Sequence, residues 1–165
     1  MATKVKQPHK LDVKSILKAE DSSTAVLKFL YGKEWTESEL QQASGYDVID
    51  SIRSGLPKAG VDAFLEKTSV DREQVSQVLH ISTRQLNRYK PEQRLSPEQS
   101  NFLYELTRIY TRTLDILGDK RTAEHWLERE QVALGNHTPL QLLDTTEGLR
   151  LVDDLLSQIE YGFYS

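Results

Sequence analysis

Four side chains able to read a base edge are crowded into residues 81–90, ISTRQLNRYK: Arg84, Gln85, Asn87 and Arg88. A guanidinium carries donors in a fixed fork that matches the two acceptors of guanine, and an amide pairs one donor with one acceptor, as adenine requires. With Leu86 turned inward, a rotation of about 100° per residue puts Arg84 and Arg88 on the opposite face, with Gln85 and Asn87 flanking them. Ser82 is placed to cap this helix, Thr83 lies in its first turn, where free backbone N–H groups favour a phosphate, and Lys90 follows its end. These seven residues form a candidate DNA-reading set. By residue type alone they would also suit the wet face of an ordinary helical hairpin.

Other chemistry finds less support. Glu124, His125 and Glu128 share one short helix, but two or three such ligands recur by chance and no second cluster completes a metal site. His9 and His137 fall in loop segments without the context of a catalytic triad. Neither G-x-x-x-x-G-K nor G-x-G-x-x-G occurs, so no phosphate cradle is expected. The expectation is a non-enzyme with no catalytic residue, no cofactor and no bound metal.

Charge sharpens the first reading. The 165 residues carry a formal charge of −4, which argues against a general nucleic-acid coat. Residues 96–165 hold six Lys/Arg against twelve Asp/Glu, whereas in 81–95 Arg84, Arg88, Lys90 and Arg94 face only Glu92. A basic face on an acidic chain is the footprint of a restricted phosphate contact. Cysteine is absent, no apolar run approaches the roughly 20 residues a bilayer needs, and no hydrophobic segment follows the basic start. A cytoplasmic protein away from membranes is expected.

The elements that must hold these residues read as helices throughout. Val75, Val78, Leu79, Ile81 and Leu86 can pin a helix–turn–helix from beneath, Ser76 is small enough for the crossing, and His80 occupies the turn where a left-handed residue is needed. Upstream, STAVLKFLYG, DVIDSIRSGL (with Val48, Ile49 and Ile52 inward) and KAGVDAFLEK have helical spacing. Ser96-Pro97-Glu98-Gln99 opens a long helix whose apolar stripe, from Phe102 to Leu117, ends at Gly118. KRTAEHWLERE, a single turn PLQLL, and a last helix carrying Leu149, Val152, Leu155, Leu156 and Ile159 follow. No stretch alternates as a strand does. The fold class is all-α: a helix–turn–helix DNA-binding module, then a compact helical domain. The division is 1–40, a partly flexible arm and helix; 41–95, the helix–turn–helix; and 96–165.

The second half resembles the Xre/MbcA/ParS-type antitoxins. The matching residues are Ala123, Trp126-Leu127, Ala133-Leu134-Gly135, Thr138-Pro139-Leu140, Leu143, Thr145, Gly148, Val152, Leu156, Ile159 and Tyr161-Gly162. GLPKAG and ISTRQLNRY are similar to the family's N-terminal helix–turn–helix, so the likeness covers about 45–165. Arg129-Glu130 and Asn136 depart from it, Asn136 standing where a second glycine is usual. The resemblance implies an antitoxin whose C-terminal domain binds a cognate toxin, usually a RES-type enzyme that attacks NAD. It also implies a homodimer that represses its own operon by binding operator DNA.

For the toxin-binding face the candidates are Trp126, Asn136, Glu160, Tyr161, Gly162, Phe163 and Tyr164. Aromatic residues after a helix-stopping glycine are unusual at a chain end. Either they fold back on the protein's own core, or with Glu160 they occlude the toxin's pocket. Two other functions stay open: a stand-alone regulator whose second half only dimerises, and an antitoxin without DNA affinity.

Overall fold

The computed structural model describes residues 25–31 and 45–162. Among them every regular element is helical: α1 (25–31), α2 (Gly45–Ser54), α3 (Ala59–Lys67), α4 (Arg72–Val78), α5 (Thr83–Arg88), α6 (Pro97–Leu117), α7 (Lys120–Glu128), α8 (Pro139–Leu142) and α9 (Thr146–Glu160), with a 3-10 turn at Val132–Leu134. Of the expected arm and helix, 1–40, residues 1–24 and 32–40 lie outside the described residues, as do 41–44 and 163–165, with Phe163 and Tyr164 among them.

The organising element is α6. Ser96 accepts from the Gln99 backbone at 3.1 Å, and the Gln99 side chain accepts from the Ser96 N–H at 3.0 Å. Such a cap is worth about 1 kcal/mol and fixes where the helix starts. Its spacing suggests one apolar stripe, yet Tyr104, Thr107 and Thr113 are buried along with Phe102, Leu103, Leu106, Ile109 and Tyr110. The reason is position: α2, α4, α7 and α9 all pack on α6. Its buried hydroxyls are satisfied along the helix itself, Thr107 donating to the Leu103 carbonyl at 2.8 Å and Thr113 to that of Ile109 at 2.7 Å. Ser100 accepts the Leu56 N–H at 2.8 Å.

One apolar core therefore runs from Val26 in α1 to Leu156 in α9. Phe29, Phe64 and Tyr110 meet at its centre with ring centroids 5.5 to 6.0 Å apart, in tilted and edge-on arrangements favoured by their quadrupoles. On α2 the expectation fails at Ile49, which is 44% exposed. Val48 and Ile52, four apart, share the inner face, and Ile49 turns away with Tyr46.

α9 begins at a close backbone approach. Thr145 caps it, its hydroxyl accepting from the Gly148 N–H at 3.0 Å. A Cβ on Gly148 would stand 1.7 Å from the Leu142 carbonyl oxygen, which belongs to the backbone and cannot rotate aside. Alanine would gain about 1 kcal/mol in helix propensity, but the overlap forces α8 from α9 and outweighs that gain. Gly148→Ala is expected to destabilise the protein by about 3 kcal/mol net, read as a lower urea midpoint at unchanged slope.

Candidate nucleic-acid interface and partner face

The presentation of α5 begins with α4. Asp71 and Gln74 close a reciprocal cap at its start, the Gln74 backbone donating to the Asp71 carboxylate at 2.8 Å. The chain reverses at His80, whose φ of 55° lies in the left-handed region. A non-glycine residue there costs about 1 kcal/mol, and two contacts offset it. The Nε2–H of His80 donates to the Asp144 carbonyl at 2.6 Å, and the ring packs 4.9 Å from that of Phe102. Ile81 donates its N–H to the Ser76 carbonyl at 3.1 Å, closing the turn over a buried serine. Ser82 then caps α5, accepting from Gln85 N–H at 3.1 Å, and Leu86 is fully buried beneath it.

That anchoring leaves the opposite face in solvent. Arg84, Gln85, Asn87, Arg88 and Lys90 are exposed, and Thr83 is half-buried in the first turn. The side chains of Arg84, Gln85, Arg88 and Lys90 have no hydrogen-bond or ion-pair partner among the described residues. Asn87 differs, because its Oδ1 accepts from Arg72 Nη1 at 2.7 Å. Sequence spacing could not anticipate this contact, which spans 15 positions and depends on the crossing of α4 and α5.

The partner-face candidates form two groups. In the first, Asn136 takes a left-handed φ of 62° beside Gly135 and donates its N–H to the Gln131 carbonyl at 3.0 Å. Gln131 in turn donates its side-chain amide to the Trp126 carbonyl at 3.2 Å, so 126 and 136 belong to one folded loop. Trp126 itself is half-buried against the core. Val132, at the apex of this loop and 81% exposed, is a candidate that sequence reading missed. The signal was an apolar residue ahead of a left-handed Gly-Asn pair.

The second group ends α9. Arg112 in α6 donates to Asp153 at 2.6 Å, to Ser157 Oγ at 2.8 Å and to Glu160 at 2.9 Å. Its guanidinium therefore holds the last turns of α9 in place, and burial, opposed by Glu160 and Asp153, leaves its pKa above the ordinary arginine value. Tyr161, next in the chain, is 70% exposed, and Gly162 closes the helix at a φ of 72°. Of the tail aromatics, Tyr161 does not fold back on the protein's own core, and Phe163 and Tyr164 lie outside the described residues. No hydrogen bond or ion pair among the described residues joins the 126–136 loop to 160–162.

Two acids of α7 have structural occupations. Glu124 accepts from the Ser69 N–H and from the Tyr110 hydroxyl, each at 2.9 Å, and Glu128 accepts from Ser69 Oγ at 3.3 Å. A cleft of about 40 Å³ between α4 and α8, lined by Gln74, Gln77, Val78, Leu140, Gln141 and Asp144, has room for a water or two. No helix of the described residues is long and apolar enough to cross a membrane.

Comparison with known proteins bears on both faces. Residues 47–108 match the antitoxin Xre-like helix-turn-helix domain, and residues 113–162 match the antitoxin Xre/MbcA/ParS C-terminal toxin-binding domain. The chain is 29% identical over 133 residues to Antitoxin Xre of Yersinia enterocolitica serotype O:8 / biotype 1B, covering 79% of this chain and 90% of that one. It is 27% identical over 136 residues to Prs ADP-ribosylating antitoxin of Sphingobium sp. strain YBL2, covering 76% and 86%. Antitoxin Xre of Photorhabdus laumondii is 26% identical over 133 residues, covering 79% and 90%. With a helix–turn–helix and a toxin-binding domain built in this order on one core, the chain belongs to the Xre/MbcA/ParS antitoxin family.

Proposed function

We propose that this antitoxin neutralises its toxin by covering the active-site mouth and represses its own operon through α5. The observation that carries the reading is an unpaired arginine pair on α5, sharing one core with a terminal helix that ends in an exposed tyrosine. Most arginines of the acidic half are spent on its own carboxylates, as Arg108, Arg112 and Arg150 are. Among the described residues Arg84 and Arg88 have no such occupation, and phosphate and base acceptors are what they suit. Ser82 and Thr83 start the helix, Gln85, Asn87 and Lys90 flank the pair, and a homodimer would set two such faces about one helical turn apart on a palindromic site.

For the toxin, the favoured partner is a RES-type enzyme that attacks NAD. The resemblance noted in the sequence supports it. So does the name of the Sphingobium relative, which carries ADP-ribosylation, a chemistry that consumes NAD. Occlusion falls to Glu160, Tyr161 and Gly162 with Phe163 and Tyr164 beyond, while Trp126, Asn136 and the newly found Val132 present a second contact. The chain supplies no chemistry of its own in this scheme, and cytoplasm is where its operator and toxin would meet it.

Two experiments separate the roles. The double substitution Arg84→Ala, Arg88→Ala is expected to weaken binding to the chain's own promoter fragment by about 30-fold or more, read by gel shift, while cells remain protected from the toxin. Loss of protection as well would mean that α5 contacts protein instead. Deleting residues 161–165 should do the reverse, abolishing protection in a co-expression assay and sparing the gel shift. A truncated chain that protects as well as the intact one would dismiss occlusion by the tail.

A further inference from the structure

We infer that Arg72, a residue outside the recognition helix, sets the base preference of α5 by fixing the amide of Asn87 as a hydrogen-bond donor, so that Asn87 reads guanine and not adenine. The inference rests on α5 being the DNA-reading helix. It starts from an ambiguity that one contact removes. The two ends of an asparagine amide are nearly alike in shape, and only their partners tell them apart. Arg72 has donors alone, so the Asn87 atom that its Nη1 approaches at 2.7 Å must be the oxygen.

The consequence is directional. Adenine is recognised when one amide edge gives a hydrogen to N7 and receives one from N6. With Oδ1 turned back toward α4, that edge no longer faces a duplex. What the exposed Asn87 keeps without a partner among the described residues is its NH₂ group, which can only donate. A guanidinium on the carbonyl also polarises the amide, which strengthens its N–H bonds as donors.

The neighbours act the same way, since Arg84 and Arg88 are exposed on the same helix and donate only. Gln85 keeps an acceptor of its own, so the shortage of acceptors for the N6 hydrogens of adenine or the N4 hydrogens of cytosine is local to the position that Asn87 reads. Guanine, with N7 and O6 both accepting, is the base edge that answers it.

The test is selection of bound sequences from a duplex library randomised across the promoter half-site, by the full-length protein. Asn87→Ala first identifies the position that Asn87 reads, as the one whose preference disappears. At that position the wild-type protein should enrich guanine, and a preference for adenine overturns the inference without any change at Arg72. Arg72→Met, which keeps the aliphatic stem, should move the guanine-to-adenine ratio there toward adenine by about fivefold or more, with the other positions unaltered. An unmoved ratio in a variant that melts as the wild type does also overturns it. Duplex binding without sequence preference would defeat this inference alone. Failure of the wild-type protein to bind any duplex would defeat the DNA-reading assignment and the inference together.

Discussion

A single phenol ties the two parts of this antitoxin together. Tyr110, fully buried in α6, sets its ring against Phe29 of α1 and Phe64 of α3, and gives its hydroxyl hydrogen to Glu124 of α7. Burial first, and the Glu124 carboxylate second, hold the tyrosine pKa far above its ordinary value, so the phenol remains a donor under all working conditions. The same carboxylate oxygen receives the Ser69 N–H from the segment between α3 and α4. A carboxylate with two donors beside an apolar cluster is satisfied, and that satisfaction allows α7 to pack where an unpaired charge could not. The helix–turn–helix and the toxin-binding domain hence share α6 as a common wall and do not hang on a linker.

The second tie is smaller and closer to function. His80 both makes the left-handed reversal that aims α5 and donates to the Asp144 carbonyl, one residue before the cap of α9. The angle of α5 and the start of α9 therefore meet at one imidazole. Further along, Arg112 binds the far end of α9 to α6. α9 is thus tied at its start, through Asp144, to the turn of the helix–turn–helix and at its end, through Arg112, to α6.

Electrostatics divides the labour between the halves. Around α9 the acidic excess is met by Arg108, Arg112 and Arg150, of which the half-buried Arg112 cluster carries geometric weight. The Arg150 pairs are exposed, where solvent screens them. In α5 no acid among the described residues is offered to Arg84 or Arg88. Leaving two cations unpaired in an acidic protein gives up a little stability for a surface that suits an anionic partner.

What the sequence determined by itself is local. Ser82, Ser96, Asp119, Thr138 and Thr145 each sit where a cap hydrogen bond forms, Gly118 and Gly162 where helices stop, and His80 and Asn136 where φ turns positive. These features depend on residues within four positions of one another, so spacing and side-chain chemistry reveal them. The outward face of α5 was legible for the same reason, because burying Leu86 fixes where Arg84 and Arg88 point. Tertiary structure alone decided the rest. That α6 is buried over more than one stripe follows from four helices packing on it, that Glu124 is a structural acceptor follows from Ser69 and Tyr110 arriving from afar, and that the Asn87 carbonyl oxygen is occupied follows from Arg72 reaching it from α4. Such contacts join residues 14 to 55 positions apart. No local periodicity encodes them, since which distant surfaces meet is settled by the packing of the whole core.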